Sequence, residues 1–181
     1  MTLSLNELSE NEYWFYNKAI DQTKTDGYQV ANDIPSDLLL PTYSEIHKEY
    51  LNLFNLETNE DLKLETLKRL IFLNWYSVIE PEHFTGIREL DVISIFESYK
   101  SLNNYIVENK LDVEFIWMLK HYSYWEYAIS DYPNDKLIEL TSFVKAADTL
   151  EINFPKHSLP KGIMNNRGQM GIYWKELVEV K

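Results

Sequence analysis

The sequence predicts an all-α fold of about six helices, packed as antiparallel helical hairpins, with an irregular C-terminal extension. A bundle and a short solenoid-like array both fit this pattern. Apolar side chains recur at helical spacing along most of the chain before residue 154. Alternating strand patterns with hairpin turns are missing from the same region. The chain also has only 5 Gly and 6 Pro, too few for a β-sandwich with many tight turns.

Capping signals place the first helices. The first helix is predicted over about residues 5–23, and Ser9 with Glu12 has capping-box spacing, which also allows a start at Ser9. Thr42 and Glu45 form a second capping-box pair, followed by apolar residues at helical spacing. These signals predict two helices separated by a loop.

The middle of the chain contains the most apolar helix. Residues 70–76 are apolar at nearly every position, which is typical of a buried helix, and Pro81 ends it. Further helices are predicted over about residues 88–107, from the N-cap Asp112, and over about residues 134–148. The predicted core comprises Leu70, Phe72, Trp75, Ile116, Leu119 and Ile129.

Two polar side chains lie within apolar helices. Asn74 and His121 are interpreted as hydrogen-bonded core groups, because buried polar atoms are nearly always paired. A short likeness between Trp75-Tyr76-Ser77-Val78-Ile79 and Trp125-Glu126-Tyr127-Ala128-Ile129, 50 residues apart, leaves a duplication and chance convergence of two helix ends both open.

Charge divides the chain into two parts. Residues 1–154 hold 27 acidic side chains against 12 Lys or Arg, a net charge of −15. Residues 155–181 hold 2 against 5, a net charge of +3, and include several Gly and Pro. We therefore predict an acidic helical domain, 1–154, and a basic C-terminal extension, 155–181, packed on the same domain. Whether the end of this extension is a helix or a strand stays open.

Composition narrows the classes of function. The chain has no Cys, which excludes disulfides, Cys-based zinc sites and Cys nucleophiles. The formal charge of −12 opposes binding to nucleic acid or to anionic membranes and favours a basic partner. The N-terminus lacks signal-peptide character, and the longest apolar-rich stretch, residues 70–79, is too short to span a bilayer. These features predict a cytoplasmic, soluble protein.

No complete catalytic, cofactor or metal motif is present. Glu80 and His83 form a Glu-x-x-His pair of the kind that di-iron helical bundles use. Such a site needs a second pair, which the chain lacks, and Pro81 interrupts the helix between the two residues. Phosphate-loop, dinucleotide-binding and nucleophile-elbow patterns are also missing. We therefore predict no metal and no cofactor.

Two segments combine aromatic and acidic side chains. In the first segment, residues 74–88, the candidate binding residues are Glu80, Glu82, His83 and Arg88. They lie in a predicted loop, where binding sites concentrate, although an ordinary helix end would look the same. In the second segment the candidates are Tyr124, Glu126 and Asp131, whose residue types suit a basic surface. The alternative is that these rings fill the core.

The sequence favours a non-enzymatic acidic protein that binds a basic protein partner, such as an inhibitor or immunity-type protein. The alternative is an enzyme or a ligand-binding helical domain with a pocket near Glu80, His83 and Arg88. A purely structural helical adaptor is a third hypothesis. An exposed acidic and aromatic patch would favour the first hypothesis, whereas a cleft with convergent polar groups would favour the second.

Overall fold

Helices form the regular structure of the chain in the computed structural model, which describes residues 3–25, 42–130, 136–147 and 154–181. Nine α-helices occur within these ranges: α1 (Leu5–Thr25), α2 (Tyr43–Leu56), α3 (Glu60–Ile79), α4 (Glu82–Thr85), α5 (Val92–Val107), α6 (Val113–Tyr122), α7 (Tyr127–Ser130), α8 (Ile138–Ala146) and α9 (Gly168–Val178). A 3₁₀ turn, Ser123–Trp125, joins α6 to α7. The described ranges contain no strand, only one parallel bridge between Leu159 and Glu179.

The all-α prediction is confirmed, but the helices outnumber the predicted six. Two of the additional helices, α4 and α7, are single turns of four residues at the ends of longer helices. The third, α9, lies in the C-terminal extension that was expected to be irregular. None of the described helices is both long and apolar enough to cross a membrane.

Two helices, α2 and α6, begin where the sequence predicted, because their capping residues bond within the first turn of the same helix. Thr42 and Glu45 form a complete capping box at α2, and Asp112 caps α6. The possible start at Ser9 is wrong, because α1 already begins at Leu5. Before it, the Ser4 backbone N–H donates to the Glu7 carboxylate at 2.8 Å.

Helix α3 lies at the centre of the core. It packs against α2, α5, α7 and α9, while α1 packs against α2, α4 and α9. Of the predicted core residues, Leu70, Phe72, Trp75, Leu119 and Ile129 are buried. Ile116 is only partly buried. The apolar all-round character of α3 therefore reflects neighbours on several sides.

The C-terminal extension completes this core. Residues 154–167 form turns and bends, and α9 then places Met170, Trp174 and Val178 in the interior, each at most 1% exposed. Gly171 lies within this helix because a Cβ there would come within 2.3 Å of the Met164 carbonyl oxygen. Close packing, and not helix propensity, accounts for glycine at this position.

Candidate functional site

A buried carboxylate on α1 lies at the N-terminus of α9. Glu12, only 1% exposed, accepts hydrogen bonds from the Tyr50 hydroxyl and, at 2.8 Å, from the Gln169 backbone N–H. Arg167, which precedes α9, makes no side-chain cap. Glu12 therefore supplies, from another helix, the acceptor that a helix N-terminus favours. Burial raises the pKa of Glu12 to about 7, against the opposing effect of its hydrogen bonds.

The Tyr50 hydroxyl connects this carboxylate to Arg69, from which ion pairs extend across the interior. Arg69 donates to the Ser9 hydroxyl at 2.5 Å and to the Glu65 carboxylate at 2.9 Å. Arg167 forms a bidentate pair with Glu65 and another with Glu114, with distances of 2.5–2.9 Å. Arginine suits this position because its planar guanidinium can hold two carboxylates at once.

A lysine forms two further ion pairs, one of them with Glu114. The Lys68 ammonium lies 2.6 Å from both Asp112 and Glu114. Burial alone would raise the pKa of Glu114, but the hydrogen bonds and charges of Arg167 and Lys68 lower it to about 2. We call the whole set the internal polar network: Ser9, Glu12, Tyr50, Glu65, Lys68, Arg69, Asp112, Glu114, Arg167 and Gln169.

An open cavity of about 780 Å³ lies beside this network. Five aliphatic side chains line its walls: Leu3, Leu5, Leu53, Leu62 and Ile163. Its charged floor comprises Glu65, Arg69, Glu114 and Arg167, and Glu7 and Glu57 are its remaining acidic lining residues. A concave site that combines apolar walls with a few convergent polar groups is the usual form of a ligand pocket.

The predicted pocket residues lie elsewhere. Glu80, His83 and Arg88 do not line this cavity. Arg88 lies 3.6 Å from Glu82 in a partly exposed ion pair, and the His83 ring contacts Phe84 at 4.1 Å between centroids. The first predicted segment is thus the end of α3 followed by the short turn α4.

Aromatic rings fill the space between α3, α6 and α9. Trp75 is fully buried and stacks on Tyr122 with 4.5 Å between ring centroids. The Trp174 indole N–H donates to the Tyr122 hydroxyl at 2.9 Å. Trp75 also makes an edge contact with Trp125 at 5.4 Å. This last contact brings the two predicted binding segments together, since Trp75 precedes Glu80 on α3 and Trp125 precedes Glu126.

The two polar core residues predicted from the sequence are hydrogen-bonded as expected. Asn74 lies 2.7 Å from a ring nitrogen of His47 and donates to the Ser98 hydroxyl at 2.7 Å. His121 lies 2.6 Å from the Tyr173 hydroxyl. Burial lowers the pKa of His47 to about 4, and burial together with the charge of Lys156 does the same to His121. Both imidazoles are therefore neutral at pH 7.

Partly exposed rings continue from this cluster to the surface. Tyr76 and Tyr173 lie side by side with 5.6 Å between ring centroids. Burial, with a contribution from the nearby Glu80 carboxylate, raises the pKa of Tyr76 to about 12. Burial and the charges of Tyr76 and Glu80 also raise the pKa of Tyr173. Glu80 therefore interacts electrostatically with two tyrosines that belong to different helices.

Groups from α1 and from the turn after α6 are linked to Tyr76, the first by an electrostatic interaction and the second by ring contacts through Trp75. Burial and then the charge of Glu176 raise the pKa of Tyr16, which also interacts electrostatically with Tyr76. Tyr124 is 62% exposed and packs edge-on against Trp125. We define the acidic–aromatic face as Tyr16, Tyr76, Glu80, Tyr124, Trp125, Glu126, Tyr173 and Glu176.

The second predicted segment contributes to this face in part. Tyr124 and Glu126 are exposed, so the alternative that these side chains fill the core does not hold for them. Trp125 is half-buried against Trp75, so its ring belongs partly to the core and partly to the surface. Asp131 lies outside the described residues.

The described residues contain no group of three His, Asp or Glu side chains that could hold a metal ion. Comparison of the chain with protein-family models, with curated proteins and with solved structures gives no significant match. Inferences about function therefore depend on the geometry of the site.

Sequence reasoning missed the internal polar network. One signal was available: Lys68 and Arg69 directly precede the most apolar run of the chain, on a helix predicted to be buried. Both side chains are indeed buried, at 5% and 4% exposure. Charged groups in such a position require buried partners, because an unpaired charge is costly in the interior. The identity of those partners, on α1, α6 and the residues before α9, follows only from the tertiary fold.

Proposed function

We propose that this protein is a non-enzymatic acidic binding protein, which holds a basic protein partner on the acidic–aromatic face. The observation that carries the proposal is the edge contact between Tyr76 and Tyr173, both of which Glu80 influences electrostatically, together with the exposure of Tyr124 and Glu126 on either side of Trp125. An inhibitor or immunity-type protein of the cytoplasm is the concrete form of this proposal.

The chemistry of the face suits arginine and lysine side chains. Tyrosine and tryptophan rings attract cations through their π faces, and rigid aromatic residues are frequent among the residues that dominate binding energy. Carboxylates beside the rings add charge complementarity, which chiefly raises the association rate. The formal charge of −12 extends this attraction beyond the contact surface.

The alternative of an enzyme with a pocket near Glu80, His83 and Arg88 has less support. These side chains do not line the cavity beside the internal polar network, and Arg88 is engaged with Glu82. The described cavity lies instead between the N-terminus of α1, the adjoining ends of α2 and α3, and residues 163–167.

Affinity capture with matched charge-reversal variants tests the proposal. The wild-type chain and the Glu80→Lys/Glu126→Lys double variant are immobilised and exposed to a lysate of the source organism. The control double variant, Glu10→Lys/Glu49→Lys, makes the same change in net charge on α1 and α2. We expect a basic protein to be captured by the wild type and by the control variant, but lost from the face variant.

The association rate of the captured protein provides a second measurement. Stopped-flow on-rates should fall steeply as added salt shortens the Debye length from ~10 Å at 0.1 M to ~3 Å at 1 M, while the off-rate changes less. Equal capture by all three proteins, or an on-rate that does not depend on salt, would contradict the proposal.

A further inference from the structure

The cavity beside the internal polar network is lined by two arginines, Arg69 and Arg167. Two guanidinium groups in a concave site ordinarily indicate an anionic ligand. We propose instead that this cavity receives a cationic side chain, Arg or Lys, of a basic polypeptide. The inference deepens the proposed function and rests on it, because it assigns a pocket for a side chain of the same class of partner.

The hydrogen-bond donors of the two arginines are directed at protein acceptors. All the N–H groups of Arg167 donate to Glu65, to Glu114 or to the Met164 sulfur. Arg69 donates from Nε to Glu65, and its terminal nitrogens donate to backbone oxygens of Leu5 and Asn166 and to hydroxyl groups. An incoming anion would have to break these bonds in order to bind Arg167, and on Arg69 it could gain at most one N–H, on Nη2, without breaking a described bond.

The carboxylates of the floor, in contrast, retain acceptor capacity. A carboxylate offers about four lone-pair sites, and the bonds to Glu65 and to Glu114 number three each. The ionisable residues that line the cavity are Glu7, Glu57, Glu65, Glu114, Arg69 and Arg167, so their formal charges sum to −2. A ligand that donates hydrogen bonds and carries positive charge matches both features.

The walls suit the apolar stem of such a side chain. Leu62 and Ile163 line the cavity while remaining 46% and 48% exposed. Arg and Lys bury their methylene chains along apolar surface and keep the charged group in a polar environment. An aliphatic wall above an acceptor-rich floor provides this arrangement.

Titration with short peptides tests the assignment. The probes are N-acetyl-Leu-Arg-Leu-amide, the matched peptide with Glu in place of Arg, and n-butylguanidinium alone, each followed through the backbone amide resonances of Leu62, Asn165 and Asn166. We expect saturable binding of the Arg peptide at least about tenfold tighter than that of either other probe. Equal or tighter binding of the Glu peptide would overturn the cationic assignment. Equally tight binding of n-butylguanidinium would overturn the assignment to a polypeptide, and no saturable binding up to about 5 mM would overturn the site.

Three variants connect this binding to the cavity. Leu62→Trp fills the apolar wall without touching the ion pairs, and it should weaken binding of the Arg peptide at least about tenfold, whereas the matched Leu62→Met should leave it nearly unchanged. Glu57→Gln removes one negative charge at constant shape, and it should weaken the Arg peptide without weakening the Glu peptide. Circular dichroism verifies that each variant is folded. Unchanged binding in Leu62→Trp would place the peptide outside this cavity.

The experiments distinguish failure of the cavity inference from failure of the proposed function. If the captured partner is lost from the Glu80→Lys/Glu126→Lys variant but binds Leu62→Trp as tightly as the wild type, the proposed function stands and the cavity inference falls. If the Arg peptide binds the cavity but the face variant still captures the partner, the proposed function falls instead.

Discussion

Glu12 and Gln169 lie 157 positions apart in the sequence, yet the Glu12 carboxylate accepts a 2.8 Å hydrogen bond from the Gln169 backbone N–H. This bond joins the first helix to the start of the last one. Since Arg167 does not cap α9, the carboxylate of α1 takes that role. The raised pKa of Glu12 shows that burial outweighs the stabilisation that this position gives to the negative charge.

The substitution Glu12→Gln should remove a pH dependence of stability. A carboxyl whose pKa is about 7 when folded, against an ordinary value of 4.5, binds its proton more tightly in the folded protein. Its contribution is fully present below pH 4.5 and is lost as pH rises through 7. The free energy of unfolding of the wild type, relative to the variant, should therefore fall by up to about 3 kcal/mol between pH 4.5 and 7. Urea unfolding at several pH values measures this difference, and parallel curves for the two proteins would contradict it.

The substitution His47→Gln should reveal the opposite dependence. The folded pKa of His47 is about 4, below its ordinary value of 6.5, so the unfolded chain binds a proton more readily in the interval between them. The stability associated with neutral His47 is present above pH 6.5 and is lost as pH falls through 4. We expect the wild type to lose up to about 3 kcal/mol relative to the variant over this interval. Urea unfolding of both proteins at pH 4 and at pH 6.5 measures this difference, and an equal change in the two proteins would contradict it.

The substitution Gly168→Ala should destabilise the junction of α1 and α9. The residue has φ +59°, a conformation that favours glycine, and an added Cβ would lie 2.3 Å from a carboxylate oxygen of Glu12. We expect a loss of about 3 kcal/mol or more in the free energy of unfolding. Gly162→Ala is the control, because φ is also positive there but the nearest atom is a side-chain nitrogen of Asn165 at 3.3 Å. A loss at Gly168 no greater than that at Gly162 would show that Glu12 can move aside.

The substitution Leu70→Ala should measure the packing of α3. Leu70 is fully buried at the centre of the helix, so the truncation should cost roughly 2–5 kcal/mol. Leu56→Ala, at a position 68% exposed, is the matched control and should change the free energy of unfolding by less than about 0.5 kcal/mol. Denaturant midpoints of the two variants provide the comparison, and a loss below about 1 kcal/mol at Leu70 would be inconsistent with a close-packed core.

The predictions that succeeded depend on short stretches of sequence. Thr42 with Glu45, and Asp112 alone, determine helix starts through contacts within one turn. Ser9 and Glu12 have the same capping-box spacing, but their side chains turn to Arg69 and to the N-terminus of α9. A capping pair and two inward-facing polar residues look identical in sequence, and only the long-range partners distinguish them.

The sequence left open whether the end of the C-terminal extension is a helix or a strand, for a related reason, and the structure shows a helix. Gly168 and Gly171 lower the helix propensity of their segment, which suggested an irregular extension. In the structure both glycines allow close approaches, to Glu12 and to the Met164 carbonyl. Tertiary packing therefore overrides local propensity here. The acidic–aromatic face was recognised only in its parts, since Tyr16 and Tyr173 come from the first and last helices.

The 157-residue separation of Glu12 and Gln169 also has a consequence for biosynthesis. At about 5–20 residues per second, a ribosome adds Gln169 roughly 8–30 s after Glu12. Until the end of this interval Arg69 lacks two of its native neighbours. One is Arg167, which shares the Glu65 carboxylate with it, and the other is the Asn166 carbonyl oxygen, which accepts one of its hydrogen bonds. The nascent chain can form helices early, because those contacts are local, but it cannot close its charged interior until residues 166–169 have been translated. Completion of the native state must therefore wait for the synthesis of residues 166–169.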